Sequence, residues 1–415
     1  DVITVTFTAI EAIGTKVVTF SSAGVAINAS RVSYVNTAGN TWTASYTAVG
    51  SDTDGAVTYS IVVGDLAGNP GVAVTTGTGS VTFDDTDPAR TSVTVASNNS
   101  LVTHAKSGNV VTVKLTTDVA VSQPVVVFKS GGAVLNNAAG RVIIYTNTNS
   151  PNKTEWSAAY TVDAADTDGL VSFDIDFSDL AGNAATTVTS VTDTSSVVVD
   201  TTAPTLNSVE IASSFSTITQ ASINDTIKID FVSNEIIADP AADATNLVVT
   251  FTSGVGVIDP SRVSYTNVSG DKINWTAQYD VASGDTEGAV SFAIAFNDIS
   301  GNAGTTVTAV TNSSSVTFDK TLPTLSNVGI VSSNPTDTLA IVNDVITVTF
   351  TAIEAVGTKV VTFSSAGVAI DPSRVSYVNT TGNTYTASYT AVGSDPDGAV
   401  TYSIAVGDLA GNSGN

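Results

Sequence analysis

A five-residue motif returns four times along this chain at nearly constant spacing, and that period constrains the fold more than any other feature. Asp65-Leu66-Ala67-Gly68-Asn69 recurs as Asp179-Leu180-Ala181-Gly182-Asn183, as Asp298-Ile299-Ser300-Gly301-Asn302 and as Asp408-Leu409-Ala410-Gly411-Asn412. The leading aspartates stand 114, 119 and 110 residues apart, which is the length of one immunoglobulin-type sandwich of about 100 residues. A second acidic motif lies 13 residues before each of them: Asp52-Thr53-Asp54-Gly55, Asp166-Thr167-Asp168-Gly169, Asp285-Thr286-Glu287-Gly288 and Asp395-Pro396-Asp397-Gly398. A third marks the joints, as Asp84-Asp85-Thr86-Asp87-Pro88, Asp200-Thr201-Thr202-Ala203-Pro204 and Asp319-Lys320-Thr321-Leu322-Pro323. Proline cannot donate to a ladder, so it ends a strand and stiffens the connection. Four domains are therefore expected, at 1–84, 89–200, 205–319 and 324–415.

Residues 1–69 and 344–412 differ at seven positions, so the higher-order unit is three domains long. The first repeat lacks an opening strand like that at 208–214, and the last lacks a closing strand like that at 316–319. Two readings follow: a window cut from a longer array, or a subunit whose incomplete ends complement each other by strand donation between molecules.

Residue choice points to an all-β chain. Thr and Val recur throughout, and their branched Cβ favours a pleated surface. The mean hydropathy of +0.25 comes from short Val-rich strands, and no apolar run approaches the roughly 20 residues of a spanning helix, so no membrane insertion is expected. With 14 Lys+Arg against 38 Asp+Glu, the net charge is −24. No nucleic-acid partner is expected, because phosphate binding needs cationic footprints. The carboxylates cluster in turns, which suggests hard-cation sites. Cysteine is absent, which excludes disulfides and zinc–thiolate sites.

The third repeat gives the clearest pattern. Strands are expected at 209–211, 226–232, 247–252, 262–267, 273–281, 289–297 and 315–319. In the second, Ile227, Ile229 and Phe231 fall on one face, with Lys228 and Asp230 on the other. Seven short strands with turns at this spacing indicate a tandem immunoglobulin-like β-sandwich. Trp42, Trp156, Trp275 and Tyr385 share one position in the fifth strand, each followed four residues later by a Tyr. Recurrence with period-2 neighbours assigns them to core packing.

Strand topology decides which loops meet. In such a sandwich the Asp-x-Asp-Gly loop, between the fifth and sixth strands, lies where the chain leaves a domain. The Asp-x-Ala-Gly-Asn loop lies where the chain comes in. An acid at the close of each second strand (Glu11, Asp118, Glu235 and Glu354) shares that leading end. End-to-end stacking then gathers carboxylates from three segments. The first joint collects Asp52, Asp54, Asp85 and Asp87 with Asp118, Asp179 and Asn183. The second collects Asp166, Asp168 and Asp200 with Glu235, Asp298 and Asn302. The third collects Asp285, Glu287 and Asp319 with Glu354, Asp408 and Asn412. Like charges so close repel unless a cation neutralises them. Calcium, which accepts about 6–8 oxygens in flexible geometry, suits this inventory better than magnesium. The competing reading is that Asp, Asn and Gly are simply good turn formers.

The Asp-Thr-Thr-Ala-Pro joint, the Glu closing the second strand and the Asp-x-Ala-Gly-Asn loop together resemble the bacterial Ig-like repeats of giant surface adhesins and surface-layer-type proteins. That resemblance covers essentially the whole chain. It implies an extracellular, cell-surface extender rod with calcium stiffening its joints, and glycans reached through regions outside this sequence. Ala89, Leu322 and Lys320 depart from the joint pattern, and the third site, with Lys320 beside its acids, is expected to bind calcium more weakly.

Catalysis is not expected. The one histidine, His104, has no counterpart in the other repeats, and repeated motifs argue against a single active site. Two structural roles remain: the passive rod of an adhesin, and the subunit of a self-assembling filament, tube, sheath or layer whose partners are neighbouring copies of the same array.

Overall fold

A computed structural model describes residues 1–135 and 142–414. They form two compact units, Asp1–Thr201 and Thr202–Asn415, and each unit holds two hydrophobic cores.

In the first unit, the first repeat supplies β1 (Val2–Thr8), β2 (Ile13–Ser22), β3 (Val25–Ala26), β4 (Ser33–Ala38), β5 (Thr41–Thr47), β6 (Gly55–Asp65) and β7 (Val81–Phe83). The second supplies β8 (Arg90–Ser97), β9 (His104–Ala105), β10 (Val110–Thr117), β11 (Val125–Ser130), β12 (Ala133–Val134), β13 (Ile144–Asn147), β14 (Glu155–Thr161), β15 (Gly169–Asp176) and β16 (Val198–Val199). In the second unit, the third repeat supplies β17 (Leu206–Ser213), β18 (Gln220–Ala221), β19 (Thr226–Ser233), β20 (Leu247–Ser253), β21 (Gly256–Val257), β22 (Ser264–Asn267), β23 (Asn274–Asp280), β24 (Gly288–Phe296) and β25 (Thr317–Phe318). The fourth supplies β26 (Leu325–Ser332), β27 (Val345–Ala352), β28 (Val356–Ser365), β29 (Val368–Ala369), β30 (Ser376–Thr381), β31 (Thr384–Thr390), β32 (Val400–Asp408) and β33 (Ser413–Gly414).

The third repeat packs a sheet of order β17-β19-β23-β22 against one of order β18-β25-β24-β20-β21. The second repeat has the same pair of orders, β8-β10-β14-β13 and β9-β16-β15-β11-β12. In both, the opening strand is split. Its first half pairs antiparallel with the second strand, and its short second half pairs parallel with the closing strand, as β9 with β16 and β18 with β25. That order is the immunoglobulin-type sandwich.

Side-chain period explains the packing. In β19, Ile227, Ile229 and Phe231 are buried while Lys228 faces out, each apolar side chain contributing roughly 1.5–3 kcal/mol. The two sheets are also tied by a tyrosine on the fourth strand. The Val249 N–H donates to the Tyr265 hydroxyl at 2.9 Å, and Val18, Val126 and Val361 repeat the bond with Tyr34, Tyr145 and Tyr377. Gly254, at φ +57°, lies against the Glu287 carbonyl, so the acidic loop before β24 packs backbone to backbone on the turn after β20.

The first repeat has three strands in one sheet, β1-β5-β4, and four in the other, β3-β2-β6-β7. Trp275 and Tyr385 are buried in their cores, and Trp156 packs at the margin of its own. Trp42 differs: it is half-buried, with the Lys16 ammonium 3.9 Å above its ring, a cation–π contact.

Candidate metal centre

The acids of each joint divide into three groups with different partners. The first acid of three of the Asp-x-Asp-Gly loops, Asp52, Asp285 and Asp395, already has a cation. Arg31 donates from Nη1 and Nη2 to the two carboxylate oxygens of Asp52, both at 2.6 Å. Arg262 holds Asp285 in the same way at 2.6 and 2.9 Å, and Arg374 holds Asp395 at 2.7 and 2.8 Å. These arginines end short 3-10 turns capped by Asn28, Asp259 and Asp371. The same carboxylates accept the N–H groups of Val49, Ala282 and Val392, which closes the loop. Bidentate bonding to a guanidinium lowers the Asp52 and Asp285 carboxyls and holds that of Asp395 at about 2. Asp52 and Asp285, expected as metal ligands, act here as loop anchors, with both oxygens engaged by a guanidinium and Oδ2 also by a loop N–H. Asp166 is buried and accepts the Asp163 N–H at 2.9 Å. Replacing Arg262 with Met should cost the third repeat about 2 kcal/mol, read by denaturant unfolding, and leave calcium binding at the joint unchanged.

The second acid of the same loop clamps the linker. Asp54 accepts from the Asp85 N–H at 3.0 Å and from the Thr86 hydroxyl. Asp168 accepts from Thr201 N at 2.7 Å and Oγ1 at 2.9 Å, and Glu287 from Lys320 N at 2.6 Å and Thr321 Oγ1 at 2.9 Å. The Lys320 ammonium turns to the carbonyls of Ser283 (2.9 Å) and Asp285 (2.8 Å).

The third group converges. In the second unit, one carboxylate oxygen each from Asp319, Glu354 and Asp408 lie within 4.8 Å of one another. Asp319 comes from the linker after β25, Glu354 follows β27, and Asp408 ends β32. Asp408 is buried inside its own loop, with Asn412 N donating to Oδ1 at 2.9 Å and Asn412 Nδ2 to Oδ2 at 2.8 Å. Asn412 Nδ2 also donates to the Asp319 carbonyl at 3.0 Å, which fastens loop to linker. Glu354 Oε1 is buried with no hydrogen-bond partner. Burial, with the charges of Asp408 and Glu287, pushes the Asp319 carboxyl up. Burial, with Asp319, Asp408 and Glu287, does the same to Glu354. Three all-oxygen hard ligands, one with an orphaned buried oxygen, are a donor set that could hold a hard divalent cation.

The first joint differs. Asn183 Nδ2 bonds the Asp84 carbonyl at 3.0 Å, as Asn412 does that of Asp319, and it also braces Asp179 at 2.8 Å. Burial raises the Asp179 carboxyl, but hydrogen bonds from Asn183, Gly182 and Ala181 outweigh it and the net shift is downward. The linker residue in the ligand place is thus Asp84, four residues before the proline, and Asp85 and Asp87 are exposed. Asp118 is displaced by one residue from its expected role. Its N–H donates to the Ala89 carbonyl and its Oδ1 accepts the Ala89 N–H at 2.9 Å. Asn234 does the same with Thr205. Val119 therefore stands where Glu235 and Glu354 stand, and the first joint lacks the third carboxylate.

The acids assigned to the second joint belong to different units. Asp166, Asp168 and half-buried Asp200 are in the first. Half-buried Glu235, with buried Asp298 braced by Asn302 at 2.9 and 2.8 Å, is in the second. His104 lies in β9, its Nδ1 3.1 Å from the Thr103 hydroxyl.

No family model matches the chain, and no curated protein does. Among solved structures the chain is similar to the I-band fragment I67–I69 from titin. The identity is 11% and the TM-score 0.34, over 79% of this chain and 95% of that one. It is also similar to the N-terminal eight Ig domains of Down Syndrome Cell Adhesion Molecule, isoform 1.30.30. That match is at 12% identity and TM-score 0.25, over 98% of this chain and 51% of that one, so this chain spans about half of that fragment. The fold assignment rests on the strand orders above.

Proposed function

We propose that this chain is a structural component of an extracellular surface assembly or adhesin: a rod of Ig-like repeats stiffened by calcium at its joints. The observation that carries this reading is the convergence of Asp319, Glu354 and Asp408 within 4.8 Å. Asp319 leaves the third repeat, whereas Glu354 and Asp408 belong to the fourth. An ion held by all three restricts the hinge between those repeats and relieves the repulsion among them. Water and nearby carbonyls complete the roughly 6–8 ligands of calcium. Neighbouring copies of the same array are the expected partners. Among the described residues, no helix is long and apolar enough to cross a membrane.

The test is calcium titration calorimetry on the whole chain and on Glu354→Gln, with X-ray scattering alongside. Wild type should bind calcium and lose flexibility on binding. The isosteric variant should bind at least about tenfold more weakly at one site, a loss of ~1.4 kcal/mol. Equal heats and equal scattering from the two proteins would overturn the reading.

A further inference from the structure

We propose that Phe215 is a latch between the third and fourth repeats, one that holds them in register without an ion and so presets the cation site of their joint. Phe215 lies in the turn between β17 and β18, at the end of the third repeat from which the linker leaves. Its ring meets the Ala410-Gly411 turn of the fourth repeat. A Cβ on Gly411 would stand 2.9 Å from the Phe215 Cε2 and Cζ atoms, so glycine is what lets the ring come this close, and at φ +88° the backbone favours glycine as well. Ala410 is 0% exposed, although its neighbour Leu409 is 51% exposed.

The sibling repeats show that the turn itself does not require this ring. Ser213 Oγ accepts the Phe215 N–H at 3.1 Å, and Ser97 and Ser332 accept from Asn99 and Asn334 in the same way, at 3.0 and 3.2 Å. Those asparagines fold back into their own repeats: Asn99 donates to Asn109 Oδ1 at 2.9 Å and Asn334 to Asp344 Oδ2 at 2.8 Å. The third repeat keeps an acceptor in that place, since Asp225 stands one residue before β19 as Asp344 does before β27. Its partner position carries a phenyl ring, which cannot bond it. A half-buried ring in place of an internal hydrogen bond stabilises through what it covers, and here it covers the neighbouring repeat.

The latch bears on ligand placement because one turn carries both. The Gly411 N–H donates to the Asp408 carbonyl at 3.4 Å, and Asn412 braces both Asp408 oxygens and the Asp319 carbonyl. Asp319 is fixed to the third repeat from the other side. Its N–H donates to the Ala221 carbonyl at 2.9 Å, and Glu287 clamps the two residues that follow. A ring seated on Gly411 therefore joins two rigid parts, and the Asp319 and Asp408 carboxylates converge before an ion arrives. Order already set in the free protein is not lost again on binding, so affinity rises. The gain in affinity rests on the calcium reading above, whereas the latch itself does not.

The chain has no cysteine of its own, so spin labels on Thr266→Cys in β22 and Val378→Cys in β30, both exposed positions, read the distance between the repeats. Phe215→Asn is the variant to compare, because Asn334 and Asp344 show that the turn accepts it. In chelator, the chain with Phe215 should give a narrow distance distribution and Phe215→Asn a broad one. Phe215→Met, of similar apolar reach, should restore the narrow one. Calcium affinity at this joint should fall about fivefold in Phe215→Asn, with the number of sites unchanged. Equal widths in chelator, or an affinity that Phe215→Asn leaves unchanged, overturns the proposal. If the chain with Phe215 binds no calcium, the reading of the joint as a calcium site falls, and the widths in chelator alone decide the latch.

Discussion

Replacing Trp275 with Ala should destabilise the third repeat by about 3–5 kcal/mol. Trp275 is 4% exposed, in the cluster that includes Val209, Phe231 and Phe251. Its indole N–H donates to the Lys272 carbonyl at 3.0 Å, so truncation leaves a cavity and removes one of the two hydrogen bonds to that carbonyl, the other coming from the Ile237 N–H at 2.9 Å. The equivalent Trp42→Ala should cost clearly less, because Trp42 is half-buried and carries the Lys16 ammonium on its open face. Repeats in one chain melt separately or together, so a single transition is an unsafe readout. Hydrogen exchange of the β19 and β23 amides reports the third repeat alone. Protection unchanged by Trp275→Ala would move this residue out of the core.

The sandwich was legible because its signals are periodic. Ile227, Ile229 and Phe231 alternate, and β19, β20 and β24 lie where alternation places them. The two-residue strands β18 and β21 carry no period that a sequence can show, yet β18 pairs parallel with β25 and completes a sheet of the third repeat. In the joints, residue type was legible and pairing was not. Asp52 and Asp285 look like ligands until Arg31 and Arg262, 21 and 23 residues earlier in the chain, are folded onto them. Asp118 looks equivalent to Glu354 until backbone register sets it against Asn234. Counting four residues back from each joint proline would have found Asp84. The turn-forming reading of the Asp-x-Ala-Gly-Asn motif is also correct as far as it goes, since Asn69 braces Asp65 at 2.8 Å in the same way. Asp408 has in addition the company of two further carboxylates, Asp319 and Glu354.

That company fixes the sign of a pH effect. Asp319 and Glu354 have folded-state carboxyls above their ordinary values, so the protonated form is favoured in the fold. Their contribution to stability is fully present below the unfolded carboxylate range and is lost as pH rises through the folded values. Asp285 and Asp395, lowered by their arginines, act oppositely: their contribution is present at neutral pH and lost as pH falls below the ordinary range. In chelator, wild type should therefore lose stability at the third joint as pH rises above the ordinary carboxylate range, and Glu354→Gln should lose less. Calcium at about 100 times its dissociation constant should return ~2.7 kcal/mol to wild type at pH 7 and much less to the variant. The two melting curves should cross: Glu354→Gln the more stable in chelator, wild type the more stable in calcium. A purely structural glutamate predicts a variant weaker in both conditions, and that result would remove the ion from the joint.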